Sequence, residues 1–132
     1  MNREELISLL RRLFKAGLRR LPRKQRDATA LLALSLTRLD PVGIYDEVEI
    51  DQHLSDWLAR ISVDGQSVDH VTWRRALVDF RFLRRATDGA IYRIRPEVID
   101  ETLSADARTV DPLDVLREVE QIRQQRQSQF GV

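Results

Sequence analysis

A mostly helical α+β fold is what this 132-residue sequence predicts. Three observations carry that prediction. Apolar residues recur at helical spacing in four separated segments, near 3–16, 23–39, 46–61 and 68–80, and again after residue 112. Two short strand-like runs, 82–86 and 91–95, flank Asp88-Gly89. Such a pair is a hairpin signal, because a type I′ turn takes positive φ at both central residues. From residue 23 the order is helix, short strand, helix, helix, strand, turn, strand. That order is a winged helix-turn-helix core, here with helices added at the N- and C-termini.

The first helix, 3–16, places Leu6, Leu10 and Leu13 on one face, with Asn2 as N-cap and Glu4 and Glu5 in the first turn. Gly17 stops it. The second helix, 23–39, carries Ala28, Leu32, Ser35, Leu36 and Leu39 at i, i+4, i+7, i+8 and i+11. A very short strand is predicted from Val42 to Tyr45. Asp46 with Glu49 makes a capping box for a third helix, whose core face is Ile50, Leu54, Trp57, Leu58 and Ile61. A loop spans 62–67. In the fourth helix Trp73, Leu77 and Phe80 should face the core, leaving Arg74, Arg75, Val71 and Val78 pointing away. Pro96 ends the hairpin, and a short helix is expected over 97–103. Asp111-Pro112 opens a last helix to about residue 127, with Val115, Leu116, Val119 and Ile122 as its stripe and a fraying polar tail beyond. The chain thus divides into an N-terminal packing or dimerisation helix (1–20), the winged-helix domain (21–96) and a C-terminal helical extension (97–132).

Net charge is only +1, but the charges are segregated. Residues 11–26 carry eight basic residues and no acid; residues 81–95 carry five arginines against Asp88; residues 97–120 carry eight acids against Arg108 and Arg117. This divides the chain into a side suited to a polyanion and an acidic side. The basic start of the second helix opposes its dipole, which an external anion at Arg23, Lys24 and Arg26 would relieve. Cysteine is absent, so no disulfide or thiolate metal site exists. No apolar run is long enough to span a bilayer and no secretory leader is recognisable, so a cytoplasmic chain is expected.

The stretches LPRKQRDATALLALSL, IYDEVEIDQHL and WRRALVDFRFLRRATDGAIYRI resemble the bacterial family called domain of unknown function 2087. The family pattern is a basic start, a Tyr-x-Glu-x-Glu-hydrophobic helix, then Leu-Arg-Arg-x-Leu-Val-Asp and a Leu-x-Arg-x-x-x-Gly-x-x-Tyr hairpin. The resemblance covers roughly residues 21–95. Trp73 stands where leucine is usual, Arg81 replaces a common glycine, and the loop at 62–68 is longer. The resemblance implies a transcription-related role and brings no catalytic residues with it.

Nothing in the residues points to catalysis. The two histidines, His53 and His70, border apolar faces and have no metal-ligand spacing. No glycine-rich phosphate loop occurs. The expectation is a non-enzymatic regulator without cofactor or metal that binds double-stranded DNA as a homodimer. Arg74 and Arg75 would lie in or beside a groove. Arg84, Arg85 and Arg93 on the wing would touch phosphates, joined by Arg23 and Lys24. Strand alternation lets only one of Arg84 and Arg85 face the duplex. The other class open to this fold is a non-catalytic adaptor that binds protein.

Overall fold

The computed structural model describes residues 1–62, 65–88 and 91–130. Gly89 and Ala90 of the predicted turn, and residues 63–64 of the predicted loop, lie outside them. The fold is α+β and mostly helical. Helix α1 (Arg3–Ala16) begins with a full capping box. The Asn2 side chain accepts from the Glu5 N–H at 2.8 Å, and the Glu5 carboxylate accepts from the Asn2 N–H at 3.1 Å. That bond, with the Arg26 guanidinium, holds the Glu5 carboxyl below the usual carboxylate range. Gly17, at φ +87°, ends the helix.

Helix α2 (Gln25–Leu34) is shorter at both ends than the predicted 23–39. Beyond Leu34 the N–H groups of Leu36, Thr37 and Leu39 donate to carbonyls three residues back, at 3.1–3.3 Å. At the switch point the Ser35 hydroxyl donates to the Leu32 carbonyl at 2.6 Å. A serine bonded back into its own helix competes with continued α-geometry. The predicted stripe also proves too narrow, because Ala30 to Leu34 are all buried. The helix runs through the middle of the core, with α5 and α4 packed on it.

Strand β1 (Ile44–Asp46) starts later than predicted and leads into helix α3 (Glu47–Arg60), capped by Asp46 and Glu49 as expected. All five predicted core residues of α3 and its C-cap are buried. Helix α4 (His70–Asp79) is capped by Asp69, whose carboxylate accepts from the N–H groups of Val71 and Thr72. Trp73, Ala76 and Leu77 are buried, whereas Phe80 is only half-buried at the C-cap. The turn after α4 is a Schellman motif. The Phe82 N–H reaches the Leu77 carbonyl at 2.9 Å and the Arg81 N–H reaches Val78 at 3.0 Å. Arg81 sits at φ +69°, the position that favours glycine, which is why glycine is the expected residue there. Arg81→Gly should therefore leave stability unchanged or raise it by up to about 1 kcal/mol, since relief of left-handed strain outweighs the extra freedom of the unfolded chain. Urea denaturation of both forms reads this directly, and a clear loss would refute the strain.

Strands β2 (Leu83–Arg85) and β3 (Ile91–Ile94) complete an antiparallel sheet of order β1-β3-β2. Rows across it join Ile44, Arg93 and Arg84, and Tyr45, Tyr92 and Arg85. Helix α5 (Pro96–Thr102), a 3-10 turn at Ala107–Thr109 and helix α6 (Pro112–Phe130) finish the described chain. The last helix outruns the predicted limit near 127. Its stripe holds at Val115, Leu116 and Val119, while Ile122 is exposed. The two terminal helices pack against each other, so the face of α1 formed by Leu6, Leu10 and Phe14 joins the same buried cluster as α2, α3, α4 and the sheet.

Candidate nucleic-acid interface

The candidate cations divide into four environments. Arg74, expected to point outward, does not. Its side chain is only 14 % exposed and lies against α3, where it pairs with Asp51 and, at 3.1 Å, with Glu47. Burial works against its charge, but the Asp51 hydrogen bond and the carboxylate charges of Asp51 and Glu47 outweigh it and hold the guanidinium pKa above its ordinary value. The reason the expectation fails is geometric. A residue one step past Trp73 lies about 100° round the helix, toward whichever neighbour packs on that flank, and here the neighbour is α3.

Arg75, one residue on, is exposed. Together with Arg74, Val78, Asp79, Arg85 and Tyr92 it lines an open cleft of about 380 Å³ between α4 and the hairpin. Arg75 and Arg85 thus reach one cleft from two elements, and among the described residues neither has an acidic partner at ion-pair distance. Asp79 shares the lining and lowers its net charge.

Arg84 and Arg93 stand elsewhere. They are direct cross-strand partners on the outer face of the sheet, and with Ala86, Thr87 and Ile91 they line an open pocket of about 280 Å³. Alternation therefore separates Arg85 from Arg84 as predicted, and it sends Arg93 with Arg84. Like charges directly opposite in a sheet repel, and among the described residues no acid is paired with either.

The basic segment 11–26 is less bare than its sequence. Arg11 pairs with Glu118 at 2.9 Å, Arg12 with the buried Asp27 at 3.0 Å, and Arg26 with Glu5. Asp27, one residue beyond that segment and in the first turn of α2, supplies the acid that the dipole favours. Arg23 and Lys24 remain exposed at the start of α2, without an ion pair among the described residues. Those three pairings tie α1 to α6 through Arg11 and to α2 through Arg12 and Arg26.

His53 meets the Ser35 carbonyl through Nε2 at 2.7 Å, a structural contact at the edge of the core. No group of three or more His, Asp or Glu that could hold a metal occurs among the described residues. No helix among them is long and apolar enough to cross a membrane.

The fold and site define a small, mostly helical α+β unit in which Arg75 of α4 and Arg85 of the hairpin line one cleft. The chain belongs to the family described as uncharacterised proteins conserved in bacteria (DUF2087), whose model matches residues 17–94. Curated proteins and solved structures give no match.

Proposed function

We propose that the chain is a winged-helix module that binds double-stranded DNA in a transcription-related role, with α4 against the duplex and the β2–β3 hairpin as wing. What supports the reading most is the cleft in which Arg75 of α4 and Arg85 of β2 converge without ion-pair partners among the described residues. Two guanidinium groups from two elements suit a backbone phosphate, since each offers a planar fork of donors. The order helix, strand, helix, helix, strand, strand from α2 to β3, and the sheet order β1-β3-β2, agree with a winged helix. On this reading α4 contributes one outward cation, Arg75, and its remaining exposed side chains include Thr72 and Asp79. Binding is then mainly to the phosphate backbone, with little base reading from the helix.

Fluorescence anisotropy on a labelled duplex tests this. The wild type should bind at low salt. Arg75→Ala and Arg85→Ala should each weaken binding and reduce the slope of log K against log salt by about one. A wild type with no measurable duplex affinity at low salt overturns the reading and leaves the cleft to acidic side chains of a protein partner.

A further inference from the structure

Among the described residues five large hydrophobic side chains are exposed, and four of them gather around β1. Val42 is 83 % exposed, Ile44 54 % and Val48 76 %, and Ile91 is the fourth; Ile122 on α6 stands apart. Ile91 pairs with Asp46 in the sheet, and Ile44 lies two residues from Asp46, so Ile44 and Ile91 share the outer face, while Val42 and Val48 flank the strand in sequence. Strand β1 is also an edge of the sheet.

The hydrogen-bond alternation fixes what that edge offers. The Ala86 N–H donates to the Ile91 carbonyl at 2.8 Å and the Arg95 N–H to the Phe82 carbonyl at 2.9 Å. Ile91, Arg93 and Arg95 therefore turn their peptide groups toward β2, and Tyr92 turns its own toward Tyr45 of β1. Ile44 and Asp46, on either side of Tyr45, then face the open edge. The Asp46 N–H is taken by the Glu49 carboxylate at 3.2 Å. Ile44 is left presenting both a donor and an acceptor beside an exposed apolar side chain. Lysine and proline, two of the guards against strand pairing, are absent from the strand; its guards are its three-residue length and the charge of Asp46, which leave Ile44 itself open.

We infer that β1 pairs antiparallel with β1 of a second copy of this chain, about a two-fold axis at Ile44. Each Ile44 N–H donates to the Ile44 carbonyl of the other copy, and the two sheets become one of six strands. The two Ile44 side chains meet at the centre of the outer face. The row then reads Arg84, Arg93, Ile44, and the same residues in reverse in the second copy. With strands about 4.8 Å apart the two Arg93 positions lie about 14 Å from each other, beyond the ~10 Å screening length at 0.1 M salt, so like charge does not oppose the pairing. An acidic segment of another protein would use the arginines but leave no reason for the free Ile44 edge to be self-complementary. A three-residue strand and a small apolar patch belong to the weak end of protein interfaces. The inference is independent of the duplex reading, because the pairing needs no nucleic acid.

Light scattering on the full chain from about 10 μM to 1 mM tests it, a span that brackets a weak dimer. The mass should rise from 15.4 kDa toward twice that value. Ile44→Pro removes an N–H that faces only the open edge, and Ile44→Lys adds an edge charge; each should hold the mass at the monomer value. Circular dichroism should show both variants folded, with Ile44→Lys deciding if the proline variant unfolds. Ile122→Lys, at the remote apolar residue, should associate like the wild type. A wild type that stays monomeric throughout, an association that survives both Ile44 substitutions, or one abolished equally by Ile122→Lys overturns the inference.

Discussion

Trp73→Ala should be the most damaging single change in the α4 segment, lowering stability by about 3–5 kcal/mol. Trp73 is 0 % exposed and its ring lies 5.7 Å from that of Trp57 at a tilt of 44°. Its indole N–H donates to the Ser35 hydroxyl at 3.1 Å, and that hydroxyl donates onward to the Leu32 carbonyl. The Ser35 carbonyl in turn meets His53. One side chain therefore links α2, α3 and α4 where α2 gives up its α-geometry. Truncation removes the aromatic contact, opens a cavity bounded by residues held from several sides, and takes away a hydrogen bond inside the core. For a chain of this length the thermal midpoint should fall by about 10–20 °C. Trp73→Leu, which installs the residue usual in the family, should cost clearly less, about 1–3 kcal/mol, because most of the volume is refilled and only the indole bond and ring contact are lost. Thermal melts followed by circular dichroism separate the two. Equal losses would mean that the hydrogen bond and ring contact, not the buried volume, dominate.

Much of this fold is legible in the sequence because it rests on local chemistry. Asn2 with Glu5, Asp46 with Glu49, and Asp69 before α4 all announce helix starts through side chains that reach only two or three residues. The stripe Ile50, Leu54, Trp57, Leu58 is readable because α3 is buried on one side. Helix α2 is different. A helix packed on several sides loses its one-sided pattern, and Ser35 marks its end only once the back-bond to Leu32 is visible. The site was harder to read for a related reason. Whether a cation faces solvent or an acid depends on residues far away in sequence. Arg12 finds Asp27, Arg11 finds Glu118 and Arg74 finds Asp51, none of which a charge count over 11–26 or 68–95 can reveal. Strand alternation, being local, did sort Arg84 from Arg85. Arg81, read as a departure from a family glycine, turns out to occupy a left-handed backbone position.

Arg74→Ala should destabilise the fold by about 1–3 kcal/mol and leave the salt slope of duplex binding unchanged. The guanidinium is mostly covered and answers two acids on α3, Asp51 and Glu47. Removing it strips both carboxylates of their counter-ion at the α3–α4 contact, where breaking a pair costs more than the pair contributes net. The loss stays below the 3–5 kcal/mol typical of fully buried pairs, because both acids retain partial contact with water. Arg74→Ala combined with Asp51→Asn should cost less than the sum of the two changes, by at least about 0.5 kcal/mol of coupling, which a double-mutant cycle in urea measures. Arg74→Lys should recover only part of the loss, since one ammonium cannot serve two carboxylates with the geometry of a planar fork. The contrast with its neighbour is the decisive part. Arg75→Ala should scarcely move the melting curve and should flatten the salt dependence of DNA binding, whereas Arg74→Ala should do the reverse. If Arg74→Ala flattened the salt dependence at unchanged stability, the guanidinium would be reaching phosphate rather than α3. Two adjacent arginines with the same sequence context would then share a role that their surroundings here assign to only one of them.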